Sequence, residues 1–250
     1  MGDCYNKQAL WPLREAIMVC MAGYKGCYQR AYRCLDAASE IMEDQRAMLL
    51  TDELSQKLAK RAHGILSREV PRRKSMEPGH VKQRFLGAVT HKGPLCLYDT
   101  ALAQCDRIYE LTDSCGLAHE LLIHVLAGAA ARGYDVVACP DPMAPDRLAH
   151  LLIPPLGLAF LTAPAALLLP EAPYRRLRLD TAADSEVLRQ SRPRLRFAKK
   201  VSAALVEEAV SSLAQAKAMH DDLENIYNPH VDFLLVDEMA QDVWDEILTF

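Results

Sequence analysis

The stretch that most constrains the fold runs from Arg107 to Ala138, RIYELTDSCGLAHELLIHVLAGAAARGYDVVA. It reads as strand, tight turn, long helix, glycine stop and second strand. Ile108, Tyr109 and Leu111 form a short apolar run, and Asp113, Ser114 and Gly116 supply turn chemistry. From Leu117 onward, Leu121, Leu122, Val125, Leu126 and Ala129 recur at helical spacing. Arg132 and Gly133 then close the helix with a basic last turn and a glycine stop, and Asp135-Val136-Val137 opens the next strand. A unit of about thirty residues in that order is a βαβ crossover. Its turn lies at the carboxyl mouth of a parallel sheet, where an anion-binding loop would sit.

The chain has 250 residues, enough for one domain with attachments or two small ones, and half of them are hydrophobic. Only 6% are aromatic, so the core should be packed from Leu, Ala, Val and Ile. A formal charge of −4 gives no global attraction to nucleic acid or to an anionic membrane. Eight cysteines at irregular spacings in a chain this long point to free thiols in a reducing cytoplasm. The longest apolar run, Leu151 to Leu169, is cut by Pro154, Pro155 and Pro164, and the first residues carry no signal-peptide pattern. The expectation is a cytoplasmic protein that does not enter membranes.

Residues 8 to 70 read as helices, with Gly23 and Gly26 as interruptions. Cys20, Cys27 and Cys34 are seven residues apart, a spacing that fits either a metal or redox stripe or a stripe of small buried residues; the second is the better reading, since no histidine completes a site. Pro71 to His80 is a basic, solvated linker. Phe85–Thr90 and Leu95–Tyr98 form a hairpin signal, and Ala101 to Asp106 a brief helix. Cys139 to Pro142 should be a turn, Asp146 should cap a short helix through Leu151, and Leu156 to Leu161 should be a buried strand. Leu167 to Leu169 is a weaker apolar piece, and Arg175 to Leu179 alternates as an exposed edge strand does. From Asp184 the pattern is helical again to the end, and the two helical ends look faintly alike, as an internal repeat would. The organisation expected is a helical segment at 1–74 and an α/β domain with C-terminal helices at 80–250.

ELTDSCGLAHELL, then ARGYDVVACPDPMAPDRLAHLLIPPLGLAFLTAP and, later, AKAMHDDLENIY carry a resemblance. Together they resemble the second half of a bacterial family of tandem P-loop ATPases, or nucleotide kinase-like proteins, from about Phe85 to Ile247. In that family the loop is G-x-P-G-T-G-K-S/T, followed by a helix, R-G-[YF]-D-V, a D-P-D segment and I-P-E-L before a strand. The resemblance implies a P-loop NTPase-like parallel sheet flanked by helices, with the helices from Gly23 to Val70 as the remnant of a first P-loop half.

The departures decide the functional expectation. A working P-loop wraps phosphates in backbone N–H groups, sets a lysine on the β/γ-phosphates and offers a hydroxyl to magnesium. Aligned on the family, Asp113 stands at the first glycine, Ala118 at the last, His119 at the lysine and Glu120 at the serine or threonine; Gly116 alone is kept. Losing one or two charge-assisted contacts weakens binding about tenfold to a hundredfold or more, so ordinary Mg-ATP binding should be abolished. Leu161 is followed by Thr162, Ala163 and Pro164, which leaves no Walker-B carboxylate for magnesium. Asp232, Asp237 and Glu238 in VDFLLVDE mimic such a strand, yet align with the family's helical tail. Asp113 and Glu120 read best as carboxylates that settle a helix N-terminus in place of a phosphate. A thiol–imidazole dyad of Cys115 and His119 is a weaker reading. No catalytic residue, metal site or cofactor is therefore expected. The leading function is a non-catalytic binding or regulatory module acting on a protein partner, or on itself, through helical faces. An ATPase or nucleotide kinase-like enzyme that uses ATP and magnesium through unconventional residues or a partner subunit is the alternative.

Overall fold

A computed structural model describes residues 4–73, 77–163 and 172–249. The chain divides into two compact units, Met1–Arg33 with Ala209–Phe250, and Cys34–Glu208. These do not coincide with segments 1–74 and 80–250. In chain order the helices are α1 (Lys7–Leu10), α2 (Arg14–Leu49), α3 (Asp52–Glu69), α4 (Tyr98–Leu102), α5 (Ala118–Ala130), α6 (Ser185–Tyr227) and α7 (Phe233–Leu248). The strands are β1 (Val81–Gln83), β2 (Gly87–Thr90), β3 (Gly93–Cys96), β4 (Arg107–Thr112), β5 (Val136–Asp141), β6 (Ala144–Ile153), β7 (Leu158–Thr162) and β8 (Arg175–Arg178).

The unit Cys34–Glu208 is an α/β structure around a six-stranded sheet in the order β1-β5-β6-β7-β4-β8. Only β6 opposes its neighbours; the other five strands run one way. β4 and β5 are therefore parallel and joined through α5, the crossover expected from the sequence. Side chains alternate between the two faces of the sheet. Tyr109, Leu111, Leu151, Ile153, Leu158 and Phe160 pack under α3 and α5. Ile108, Leu152, Ala159 and Leu161 turn to the opposite face, against Leu86, Tyr98, Ala101 and Cys105. The near-continuous apolar run in β7 thus reflects burial on both faces.

α3 is capped by Thr51, whose hydroxyl accepts from the Leu54 N–H at 3.2 Å, and it buries Leu54, Leu58, Ala62, Ile65 and Leu66. At its end the buried Glu69 accepts from the Tyr109 hydroxyl at 2.6 Å and from Arg107 at 3.0 Å. Beyond the end of α5 the chain turns at Gly133, whose φ of +81° is the left-handed geometry that glycine takes without strain.

Several local expectations change. The segment headed by Asp146 is strand β6, not a helix, because its residues pair with β5 and β7 along both edges. Asp141 ends β5, and its carboxylate accepts from the Met143 N–H at 2.8 Å, so the turn lies at Pro142-Met143. α2 is continuous through Gly23 and Gly26. The short helix before β4 sits at Tyr98–Leu102, ahead of the expected span. β1 has no periodic signal; it pairs with β5 at the sheet's edge. The apolar piece at Leu167–Leu169 lies outside the described residues.

In the unit Met1–Arg33 with Ala209–Phe250, Tyr5 bridges Val231, and the Asp232 N–H donates to the Cys4 carbonyl at 2.7 Å. Asp232 also caps α7 through the Leu235 N–H at 3.2 Å, which makes VDFLLVDE a helix start and not a strand. None of the described residues of α7 is buried, and Phe233, Leu234, Val243, Trp244, Ile247 and Leu248 are all exposed. Among the described residues no helix is long and apolar enough to cross a membrane.

Candidate functional site

The loop between β4 and α5 leaves the carboxyl end of an interior strand, one in from the sheet's edge, where the first turn of a helix presents free N–H groups. Here the chain fills them itself. The Asp113 carboxylate accepts from the backbone N–H groups of Cys115 at 3.2 Å, Leu117 at 2.9 Å and Ala118 at 2.7 Å. Asp180, which follows edge strand β8, accepts from the Ser114 N–H at 3.0 Å and from its hydroxyl at 2.8 Å. Four of the five backbone N–H groups from Ser114 to Ala118 are thus held by two carboxylates of the same chain. Burial pushes the Asp113 carboxyl above the usual carboxylate range, against the pull of its three N–H partners.

Gly116 holds the bend with φ +73°. A Cβ there would stand 2.8 Å from the Arg46 Cδ, so glycine is required both by the backbone and by the arginine packed against it. Arg46 comes from the end of α2, is only 6% exposed, and pairs with Glu43 one turn earlier. On the other side Arg147 of β6 donates to the Gly116 carbonyl at 3.1 Å and lies 3.6 Å from Glu120 and 3.8 Å from Glu43.

His119 Nδ1 accepts from the Leu148 N–H at 3.0 Å, close to where the β5–β6 register shifts at Pro140. With Nδ1 accepting, a neutral ring carries its proton on Nε2. Burial, with Arg147 adding repulsion, lowers the His119 pKa, so the neutral ring prevails near pH 7. The ring is thus held by a backbone partner from the neighbouring strand.

The Cys115–His119 dyad is not formed. Cys115 is buried beside Ser114 at 3.7 Å, and burial, aided by Asp180, pushes its thiol up to about 12. A nucleophilic thiolate needs the opposite shift.

The walls enclose a cleft of about 250 Å³ bordered by Arg46, Asp113, Gly116, His119, Arg147 and Thr162, among others. Of the sequence-derived positions, Asp113, Gly116, Ala118 and His119 line it; Glu120 stands beside it against Arg147. No family model, curated protein or solved structure matches this chain. Its chemistry has to be read from the side chains present.

Sequence reasoning did not single out Arg46 and Arg147. Arg46 lies in a helix far ahead of the loop and has no motif. Arg147 had a usable signal once β6 is taken as a strand, because its position beside Leu148 brings it level with His119.

Among the described residues one group of three could share an ion by proximity: His220, Asp221 and Glu224 on α6. His220 Nδ1 already lies 3.1 Å from Glu224, and Lys217 pairs with Asp221, so the group is an ion-paired helix face. Cys20, Cys27 and Cys34 carry free thiols; Cys27 is buried and the other two are half-buried. No metal cluster forms from them among the described residues.

Proposed function

We propose that the chain is a P-loop-fold module, related to the tandem P-loop ATPases, whose nucleotide site is closed by its own side chains. It works by binding a partner and not by hydrolysing nucleotide. The observation that carries this reading is the Asp113 carboxylate on three loop N–H groups, with Asp180 on a fourth. Those are the donors on which a phosphate would depend. A nucleotide would have to displace two anchored carboxylates and then meet Glu120 and a neutral His119 where magnesium and phosphate chemistry call for a hydroxyl and a lysine.

The sheet is compatible with the same reading: the loop joins an interior strand to a crossover helix, and five of six strands share one direction. For partner binding, α7 offers an exposed apolar face, and its charged residues, Asp237, Glu238, Asp242, Asp245 and Glu246, are all acidic. A contiguous face of that kind fits a protein partner.

Calorimetry and thermal shift with Mg-ATP and Mg-GTP test the reading. A micromolar site in millimolar nucleotide would gain about 4 kcal/mol of stability, so silence is informative. No stabilisation is expected. Saturable binding of either nucleotide would overturn the proposal in favour of an ATPase or nucleotide kinase-like enzyme.

A further inference from the structure

Two arginines border the cleft with hydrogen-bonding capacity in reserve. An arginine carries five N–H donors and no acceptor. Arg46 is almost wholly buried, and among the described residues its Nε has no acceptor, while Glu43 takes its far end. Leaving a buried charged donor without an acceptor is unfavourable, and few are left so without reason. Arg147 has one acceptor at hydrogen-bond distance, the Gly116 carbonyl; its carboxylate neighbours stand at 3.6 Å and 3.8 Å. His119 adds a neutral ring with its proton on Nε2. All three side chains border the same cleft.

We propose that this cleft binds a small oxyanion, a phosphate or carboxylate group, on the Arg46 and Arg147 guanidiniums beside the closed loop. The planar fork of arginine matches both groups. The inference rests on the preceding reading in one respect: with the loop N–H groups taken by Asp113, the anion is held by side chains. Size sets the class. At about 250 Å³ the cleft falls below the roughly 300–1,000 Å³ of ordinary small-molecule sites. It suits a phosphate or a short dicarboxylate. Glu43 and Glu120 compete for the same guanidiniums, which keeps the affinity modest and the site exchangeable.

The experiment is calorimetry and thermal shift on the full chain with sodium phosphate, with succinate and with Mg-ATP, each at constant ionic strength. Saturable binding of phosphate or succinate is expected, weakened about tenfold or more in Arg147→Gln. Arg46→Lys keeps the charge and removes the fork, and it weakens binding likewise; circular dichroism and the melting temperature of each variant report its folding. Tighter phosphate assigns a phosphate ligand, and tighter succinate a carboxylate. The proposal is overturned if neither anion binds, or if a folded Arg147→Gln binds as the wild type does. Mg-ATP binding that displaces phosphate would sink the closed-loop reading and leave the arginine site standing. Silence from phosphate, succinate and nucleotide together does the reverse.

Discussion

Asp113→Ala is the sharpest perturbation, because one side chain satisfies three backbone donors. Two effects oppose each other. Removing the acceptor strips the first turn of α5 of its cap; such truncations cost about 0.5–2 kcal/mol, and unsatisfied donors about 1–3 kcal/mol. Against this, burial raises the Asp113 carboxyl, so the ionised group carries a desolvation penalty that alanine lacks. The loop borders an open cleft, and water can reach part of what is exposed. The net expectation is a loss of about 1–2 kcal/mol, or a melting temperature lower by about 2–8 °C. Asp113→Asn keeps an oxygen for Cys115 and Leu117 but turns an amide donor toward the Ala118 N–H, so it falls between the two. The pH dependence carries a definite sign. A raised carboxyl binds its proton more tightly in the folded chain. The Asp113 contribution is therefore most favourable at low pH and is lost as pH rises from 3.8 through the raised value. The stability difference between wild type and Asp113→Asn should shrink over that window. Thermal scans with and without sodium phosphate complete the assay: alanine bares a nest of N–H groups, so phosphate should stabilise the variant more than the wild type. An alanine variant as stable as the wild type, and no more responsive to phosphate, would refute the claim that Asp113 occupies an anion's place.

Gly116→Ala forces a side chain into a left-handed backbone and against Arg46, and should cost about 1–3 kcal/mol by urea titration; an unchanged midpoint would argue against the tight bend. His150 is buried with Nδ1 accepting from the Thr162 N–H at 3.1 Å, and burial lowers its pKa from 6.5 to about 4. Stability should therefore fall as pH drops from 6.5 toward 4, by up to about 3 kcal/mol, and His150→Gln should flatten that slope in urea titrations at both ends of the window. Cys115 should alkylate near neutral pH more slowly than the half-buried Cys20 and Cys34, read by peptide mass spectrometry; faster labelling would restore the dyad. Tyr109→Phe leaves the buried Glu69 with Arg107 and the more distant Arg68, and should cost about 1–3 kcal/mol in the same titration.

The crossover from Arg107 to Ala138 was legible because its signals are local: a helical period, a glycine at the stop and apolar runs on either side. The hairpin, the edge strand at Arg175–Arg178 and the buried strand after Gly157 were legible for the same reason. Misreadings arose where tertiary pairing overrode local preference. Asp146 looks like a cap, but β5 and β7 recruit its segment into the sheet, and Gly23 and Gly26 do not interrupt α2. At the site, the composition of the loop could be read directly, whereas the geometry that gives it meaning could not. Asp113 folds back on its own loop, and Asp180 arrives from beyond β8. The two arginines come from a distant helix and from a strand the sequence disguised as a helix.

The order of the sheet bears on how the chain is assembled. β4 is flanked by β7 and β8, both of which come later in the sequence. As the chain is synthesised, β4 emerges with both edges unpaired and must wait for its neighbours, whereas β5, β6 and β7 can zip together as a local meander. Asp180 follows β8, so the last clasp on the loop closes only after the final strand has docked. The loop's full set of carboxylate partners is thus a late acquisition of folding, and a chain stalled before Asp180 would carry the loop half-dressed.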